Sequence, residues 1–150
     1  MILRKPEAGW SSLTLKNDKG EMKSFRVSYV DDVPLMLMEQ LTVSLMESVD
    51  TMIEFEAEGW EHRWIITDSF IYVIEDKDEV SVSRFWINKE DFARQIWTDL
   101  SLYAKEWACW SYETESLSDE GRELQVKHFR DSLNDFEKVI ETYLKEKAVH

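Results

Sequence analysis

The spacing of apolar residues changes along the chain, and this change constrains the fold more than any other feature of the sequence. Between Leu13 and Phe85 most apolar residues alternate with polar ones, which is the period of a β-strand. From Phe92 onwards they recur every three or four residues, which is the period of an amphipathic helix. Strands followed by helices predict an α+β fold, and 150 residues without a linker or low-complexity tract predict a single domain.

The strand-like half begins with a hairpin. Leu13 and Leu15 precede a polar turn at residues 17–20, and Phe25, Val27 and Tyr29 alternate after it. Further strand-like runs, separated by turn residues, occupy residues 52–57, 60–67, 70–74 and 80–85. The pattern therefore predicts an antiparallel sheet of about five or six strands that includes the first hairpin.

One helix is predicted between this hairpin and the later strands. The sequence Asp-Asp-Val-Pro at residues 31–34 is typical of a helix start, because acidic side chains favour the positive end of the helix dipole. Helical spacing then runs through Leu35, Met38, Leu41, Leu45 and Val49. A strand through Leu41, Val43 and Leu45 is the alternative, but the apolar stretch exceeds the usual length of a strand.

The last third of the chain predicts a helical hairpin that packs on one face of the sheet. Asn88 can cap a long first helix, whose apolar stripe comprises Phe92, Ile96, Leu100, Tyr103, Trp107 and Trp110. An acidic loop follows, and a second helix begins near Ser118. Its stripe comprises Phe129, Leu133, Phe136, Ile140 and Tyr143 or Leu144.

The charge of the chain limits its partners. Thirty-one acidic residues against eighteen basic ones give a formal net charge of −13 and a pI near 4.6. A field of this sign repels nucleic acids and anionic membrane surfaces, and it attracts basic proteins. The charge therefore predicts a basic protein partner, no nucleic acid and no membrane; simple solubility is the alternative explanation.

The candidate contact residues are carboxylates and tryptophans. Strand periodicity places Glu54, Glu56 and Glu58 on one face, and Glu113 and Glu115 extend the negative surface in the loop between the C-terminal helices. These carboxylates would steer a basic partner, although a strand that merely faces solvent has the same pattern. The candidate anchors, a type of residue favoured in interfaces, are Trp60, Trp64 and Trp110.

Two other hypotheses remain open. A small ligand-binding or enzymatic domain would use a pocket between the sheet and the helices, with Glu58, Glu61 and His62 as its ligand-binding residues. A homo-oligomer would bury part of the seven tryptophans between subunits. An exposed tryptophan supports an interface in either a partner complex or an oligomer.

No motif in the chain predicts a catalytic residue, a cofactor or a metal site. Cys109 is the only cysteine, which excludes an intramolecular disulfide, and its place between two tryptophans predicts a small buried apolar residue. The chain shows no signal peptide and no apolar run of the ~20 residues that span a bilayer. These observations predict a cytoplasmic location.

The chain is small, acidic and rich in aromatic residues, and it has no catalytic motif. In composition it resembles the immunity proteins that bacteria encode beside their toxins. The resemblance implies a non-enzymatic domain that captures a basic protein, which could be a toxin, through a carboxylate surface with aromatic anchors.

Overall fold

The structure is a computed structural model that describes residues 1–149. Within this range the fold is α+β, as the periodicity predicts, and it contains six strands and four α-helices. The elements are β1 (Trp10–Lys16), β2 (Met22–Ser28), α1 (Val33–Glu47), β3 (Thr51–Glu56), β4 (Glu61–Ile66), β5 (Phe70–Asp76), β6 (Val80–Trp86), α2 (Lys89–Leu102), α3 (Ala104–Ala108) and α4 (Asp119–Val149). A single 3₁₀ turn, Tyr112–Thr114, lies between α3 and α4.

The strands form two antiparallel sheets, not the one sheet that the sequence predicts. β3, β4, β5 and β6 pair in chain order, and β1 pairs with β2 and, through one antiparallel bridge between Leu13 and Leu3, with the segment before it. The β1–β2 hairpin packs against one face of the larger sheet, where the Phe25 ring lies 5.3 Å from Trp64 and 5.9 Å from Phe85. The prediction was wrong on this point because a period of two identifies the buried face of a strand and does not identify its partner strand.

The helix predicted after the hairpin is confirmed as α1. The Asp32 carboxylate accepts a hydrogen bond from the Leu35 amide at 3.3 Å, and Pro34 lies in the first turn. The helix ends at Ser48, whose φ of 54° is left-handed.

The buried side chains of α1 pack towards β3, α2 and α4. Of the predicted stripe, Met38, Leu41 and Leu45 are buried. Leu35 is exposed, and Val49 is exposed and lies beyond the end of the helix, so the prediction was wrong for these two.

The C-terminal helices pack on the same face of the larger sheet as the hairpin. The Phe92 ring of α2 stacks on the Trp64 ring of β4, with 6.2 Å between the ring centres. α2 and α4 run antiparallel, because Trp97 donates to the Leu133 carbonyl and Glu90 pairs with Lys147. The predicted single helix through Trp110 is wrong, since Tyr103, with a φ of −124°, separates α2 from α3.

The residues before β1 form a segment that we call the N-terminal strap, residues 2–9. Its beginning is fixed by Asp99 of α2, a buried carboxylate that accepts hydrogen bonds from the amides of Ile2 (2.7 Å) and Leu3 (2.9 Å). Its end is fixed by Trp110, whose indole donates to the Glu7 carbonyl at 2.8 Å.

Backbone hydrogen bonds also tie the strap to β1: the Thr14 amide donates to the Ile2 carbonyl at 2.8 Å, and the Arg4 amide donates to the Ser12 carbonyl at 3.1 Å. The strap is therefore held by residues of the helical half and by β1.

The outer face of the larger sheet carries none of these packed elements. Its strands alternate between buried residues on the inner side and exposed ones outside, among them Met52, Val82 and Trp86. Within residues 1–149, no helix combines the length and apolar composition needed to cross a bilayer.

Candidate functional site

An open cleft of about 560 Å³ lies between the N-terminal strap, the end of β2, the β3–β4 turn and α3. Four glutamates and three aromatic residues line it, and none of the lysines, arginines or histidines within residues 1–149 does. We call this site the acidic cleft. Its charged and aromatic lining residues are Glu7, Glu58, Glu106, Glu115, Trp10, Tyr29 and Trp110.

The strap and β2 position the aromatic wall of the acidic cleft. The Tyr29 amide donates to the Gly9 carbonyl at 3.0 Å, which brings the strap over the tyrosine ring. Gly9 has a φ of 80°, and a Cβ atom at this position would lie 3.4 Å from the Tyr29 ring. Glycine is therefore favoured here by the positive φ of the turn, since a Cβ atom would make only an ordinary van der Waals contact with the ring.

A tight turn places Glu58 in the acidic cleft. Glu58 adopts a left-handed φ of 52°, and the next residue, Gly59, has a φ of 116°. This turn ends the alternation of β3, so Glu58 leaves the face on which Glu54 and Glu56 lie. A non-glycine residue in this conformation costs of the order of 1–2 kcal/mol, which the surrounding hairpin must offset.

The acidic cleft concentrates negative charge around Tyr29. Glu115 raises the pKa of Tyr29 above its ordinary value, and burial, Glu58 and Tyr112 add to the effect. The physical cause is that a phenolate would form beside existing carboxylates. A cation bound in the acidic cleft would meet this field directly. Of the three aromatic residues in the lining, Trp10 already has the Arg26 guanidinium 3.9 Å from its ring centre.

The predicted row of three glutamates is therefore divided. Glu54 and Glu56 lie on the outer face of the larger sheet, opposite Arg63 and Glu61 of β4. Glu54 lies 3.7 Å from Arg63, and it raises the pKa of Glu61 because the two carboxylates share a hydrogen bond. Of the predicted steering residues, only Glu58 and Glu115 meet in the acidic cleft.

The other predicted contact residues take different places. Trp64 is fully buried in the core, which corrects the expectation that it anchors a partner. Trp60 is half-buried beneath the Lys77 ammonium, 5.0 Å from the ring centre. Trp110 is 9% exposed and its indole holds the strap, so it forms a wall and not a protruding anchor. Glu113 is exposed outside the acidic cleft, near Asp32, whose pKa is raised first by burial and then by Glu113.

The alternative pocket of Glu58, Glu61 and His62 does not form. His62 is buried in the core, Glu61 lies on the outer face of the larger sheet, and Glu58 lies in the acidic cleft. They diverge because Glu61 and His62 are neighbours on a strand and so point to opposite faces. The homo-oligomer hypothesis stays a prediction, for which the exposed apolar residues of the outer face offer a surface.

Sequence reasoning missed four residues of the acidic cleft: Glu7, Trp10, Tyr29 and Glu106. They come from the strap, the hairpin and α3, and no local pattern connects these segments. Cys109 also lines the acidic cleft and is half-buried, which corrects the prediction of a fully buried thiol. Its sulfur lies 3.8 Å from the Arg122 carbonyl.

Within residues 1–149, no group of three or more His, Cys, Asp or Glu side chains is arranged to hold a metal ion. No protein-family model matches the chain, and no curated protein or solved structure does.

Proposed function

We propose that the protein is a non-enzymatic binding domain that captures a basic protein partner by accepting a lysine or arginine side chain in the acidic cleft. The observation that carries this proposal is the composition of the acidic cleft, whose lining includes four glutamates and three aromatic residues and, among residues 1–149, no cationic side chain.

Two physical effects support the proposal. Aromatic faces attract cations through their quadrupoles, by about 0.5–1 kcal/mol at exposed sites and more where water is excluded. Carboxylates add charge-assisted hydrogen bonds, for which arginine offers a planar set of donors. The net charge of −13 acts at longer range and speeds the encounter with any basic protein.

The division of the predicted carboxylates suggests two roles. Glu58 and Glu115 contact the bound cation in the acidic cleft, whereas Glu54 and Glu56 on the outer face contribute only to the general field. In its most specific form, the proposal is a cytoplasmic bacterial immunity or inhibitor protein that neutralises a basic toxin. Its support is the composition of the chain together with the acidic cleft.

A pull-down with matched charge variants tests the proposal. The tagged chain is incubated at low salt with a lysate of its native host, and retained proteins are identified by mass spectrometry. The variants are Glu58→Gln/Glu115→Gln in the acidic cleft and Glu54→Gln/Glu56→Gln on the outer face, which change the net charge equally.

We expect the wild type and the outer-face variant to retain one basic protein at stoichiometric yield, and the acidic-cleft variant to lose it. Because both variants remove two charges, the general field cannot produce this difference. Equal retention by the two variants would show that the acidic cleft is not the contact site.

A further inference from the structure

A second cleft, of about 420 Å³, adjoins the acidic cleft and is lined by residues of the strap, β1 and β2. Three of its lining residues are cations, Arg4, Lys5 and Arg26, and one is an acid, Glu7. We call it the basic cleft. A cluster of three cations is unusual in a chain with eighteen basic and thirty-one acidic residues.

Two of the three cations of the basic cleft, Arg26 and Lys5, lie against aromatic rings. The Arg26 guanidinium lies 3.9 Å from the centre of the Trp10 ring, and the Lys5 ammonium lies 5.2 Å from that of Tyr103. In the part of the chain that the structure describes, neither these two residues nor Arg4 forms an ion pair within 4.0 Å. A ring orients a cation without neutralising it, so the charges are available to an anion.

The two clefts share a wall. Glu7 and Trp10 line both of them, and each cleft is lined by further residues of the strap. A positive site and a negative site thus lie side by side on one surface. The strap, which lines both clefts, is fixed by its hydrogen bonds to Asp99, Trp110 and β1, so the arrangement exists before any ligand binds.

We propose that the basic cleft binds a carboxylate of the same partner whose cation enters the acidic cleft, so that the recognised segment presents a cation and a carboxylate close together. This inference rests on the proposed function and adds a carboxylate to the cation that the partner presents. The paired sites also give selectivity, because a purely basic segment would place a cation against Arg4, Lys5 and Arg26.

The inference is tested by asking which of two peptides, one with a carboxylate and one without, binds more tightly. Blocked peptides carry an arginine and, after a glycine linker of varied length, either a glutamate or a glutamine. Their affinities are measured from NMR shifts of the backbone amides and the tryptophan indoles. The field of a chain with a charge of −13 disfavours the added carboxylate, so only a local positive site can make the glutamate peptide bind more tightly.

For the wild type we expect the glutamate peptide with the best linker to bind about two- to fivefold more tightly than its glutamine counterpart, the range of partly exposed ion pairs. In Arg4→Gln/Arg26→Gln the preference should vanish or reverse. Arg4→Gln/Lys5→Gln, with both changes on the exposed strap, gives the same test without altering β2.

A glutamate peptide that binds the wild type no better than the glutamine peptide, at every linker length, overturns the inference. Failure of the proposed function is a separate result, namely equal affinity of the glutamine peptide for the wild type and for Glu58→Gln/Glu115→Gln. The comparison of the two peptides tests the basic cleft, and the comparison of the two proteins tests the acidic cleft. The two failures can therefore be told apart.

Discussion

His62 is enclosed by the rings of Phe25, Phe55 and Trp64, and its two ring nitrogens have different partners. The Trp64 indole, which can only donate, lies 2.8 Å from Nδ1. Nδ1 must therefore accept, and Nε2 carries the proton and donates to the Arg26 carbonyl at 2.6 Å. His62 thus joins the larger sheet to the hairpin as a neutral group.

The stability of the protein should fall as the pH is lowered below about 6.5, the ordinary histidine value. Burial lowers the pKa of His62, more than the Arg26 carbonyl, Glu75 and Asp31 raise it. The unfolded chain then takes up a proton that the folded chain does not, so the free energy of unfolding decreases between the ordinary pKa and the lowered one. For this one group, the free energy of unfolding changes by at most about 1.4 kcal/mol per pH unit.

Urea unfolding at several pH values, in the wild type and in His62→Gln, measures this contribution as the difference between the two slopes. His128→Gln removes an exposed histidine of α4 and serves as the control. NMR should show Nε2 protonated at neutral pH. A proton on Nδ1, or identical slopes for the wild type and His62→Gln, would contradict this account of the core.

At the scale of elements, the sequence predicted whether a segment is a helix or a strand better than it predicted which segments pack or pair with each other. α1 was recognisable because Asp32 and Pro34 are local signals of a helix start. The end of α2 at Tyr103 had no such signal, since neither glycine nor proline is present there. The separation of the two sheets was also hidden, because it depends on contacts such as Phe25 with Phe85, which are distant in the chain.

The strap is the element on which both clefts depend, and its anchor Asp99 can be tested. Asp99→Ala leaves the buried Ile2 and Leu3 amides without an acceptor, at about 1–3 kcal/mol for each unsatisfied group. We expect these two amides to lose protection in hydrogen exchange and the protein to unfold at lower urea concentration.

Thr98→Ala is the matched control, because Thr98 is the exposed neighbour of Asp99 on α2 and hydrogen-bonds only within its own helix. The Asp99→Ala variant should also bind arginine peptides more weakly, since the strap forms one wall of the acidic cleft. Unchanged protection of Ile2 and Leu3 would show that other contacts hold the strap.

At the scale of the whole molecule, the charge of −13 and the shape of the acidic cleft act over different distances. The net charge predicted a basic partner, and strand periodicity, the acidic loop and the abundance of tryptophan suggested Glu58, Glu115 and Trp110 respectively. It could not show that these residues meet Glu7 and Tyr29, because the cleft is assembled from four separate parts of the chain. Charge counts describe attraction in general, whereas the fold determines where a cation would be held.

The position of Cys109 permits a direct test of the central claim, that the acidic cleft accepts a cationic side chain. Because Cys109 is the only cysteine and lines the acidic cleft, its rate of alkylation reports whether the cleft is occupied. The measurement compares this rate at low salt with a short arginine peptide and with the same peptide containing citrulline, the neutral analogue of arginine.

The account predicts that the arginine peptide slows alkylation several-fold in the wild type and in Glu54→Gln/Glu56→Gln. It predicts little slowing by the citrulline peptide, or by either peptide in Glu58→Gln/Glu115→Gln. Alkylation that is equally fast with and without saturating arginine peptide in the wild type would contradict the claim that a cation binds in the acidic cleft.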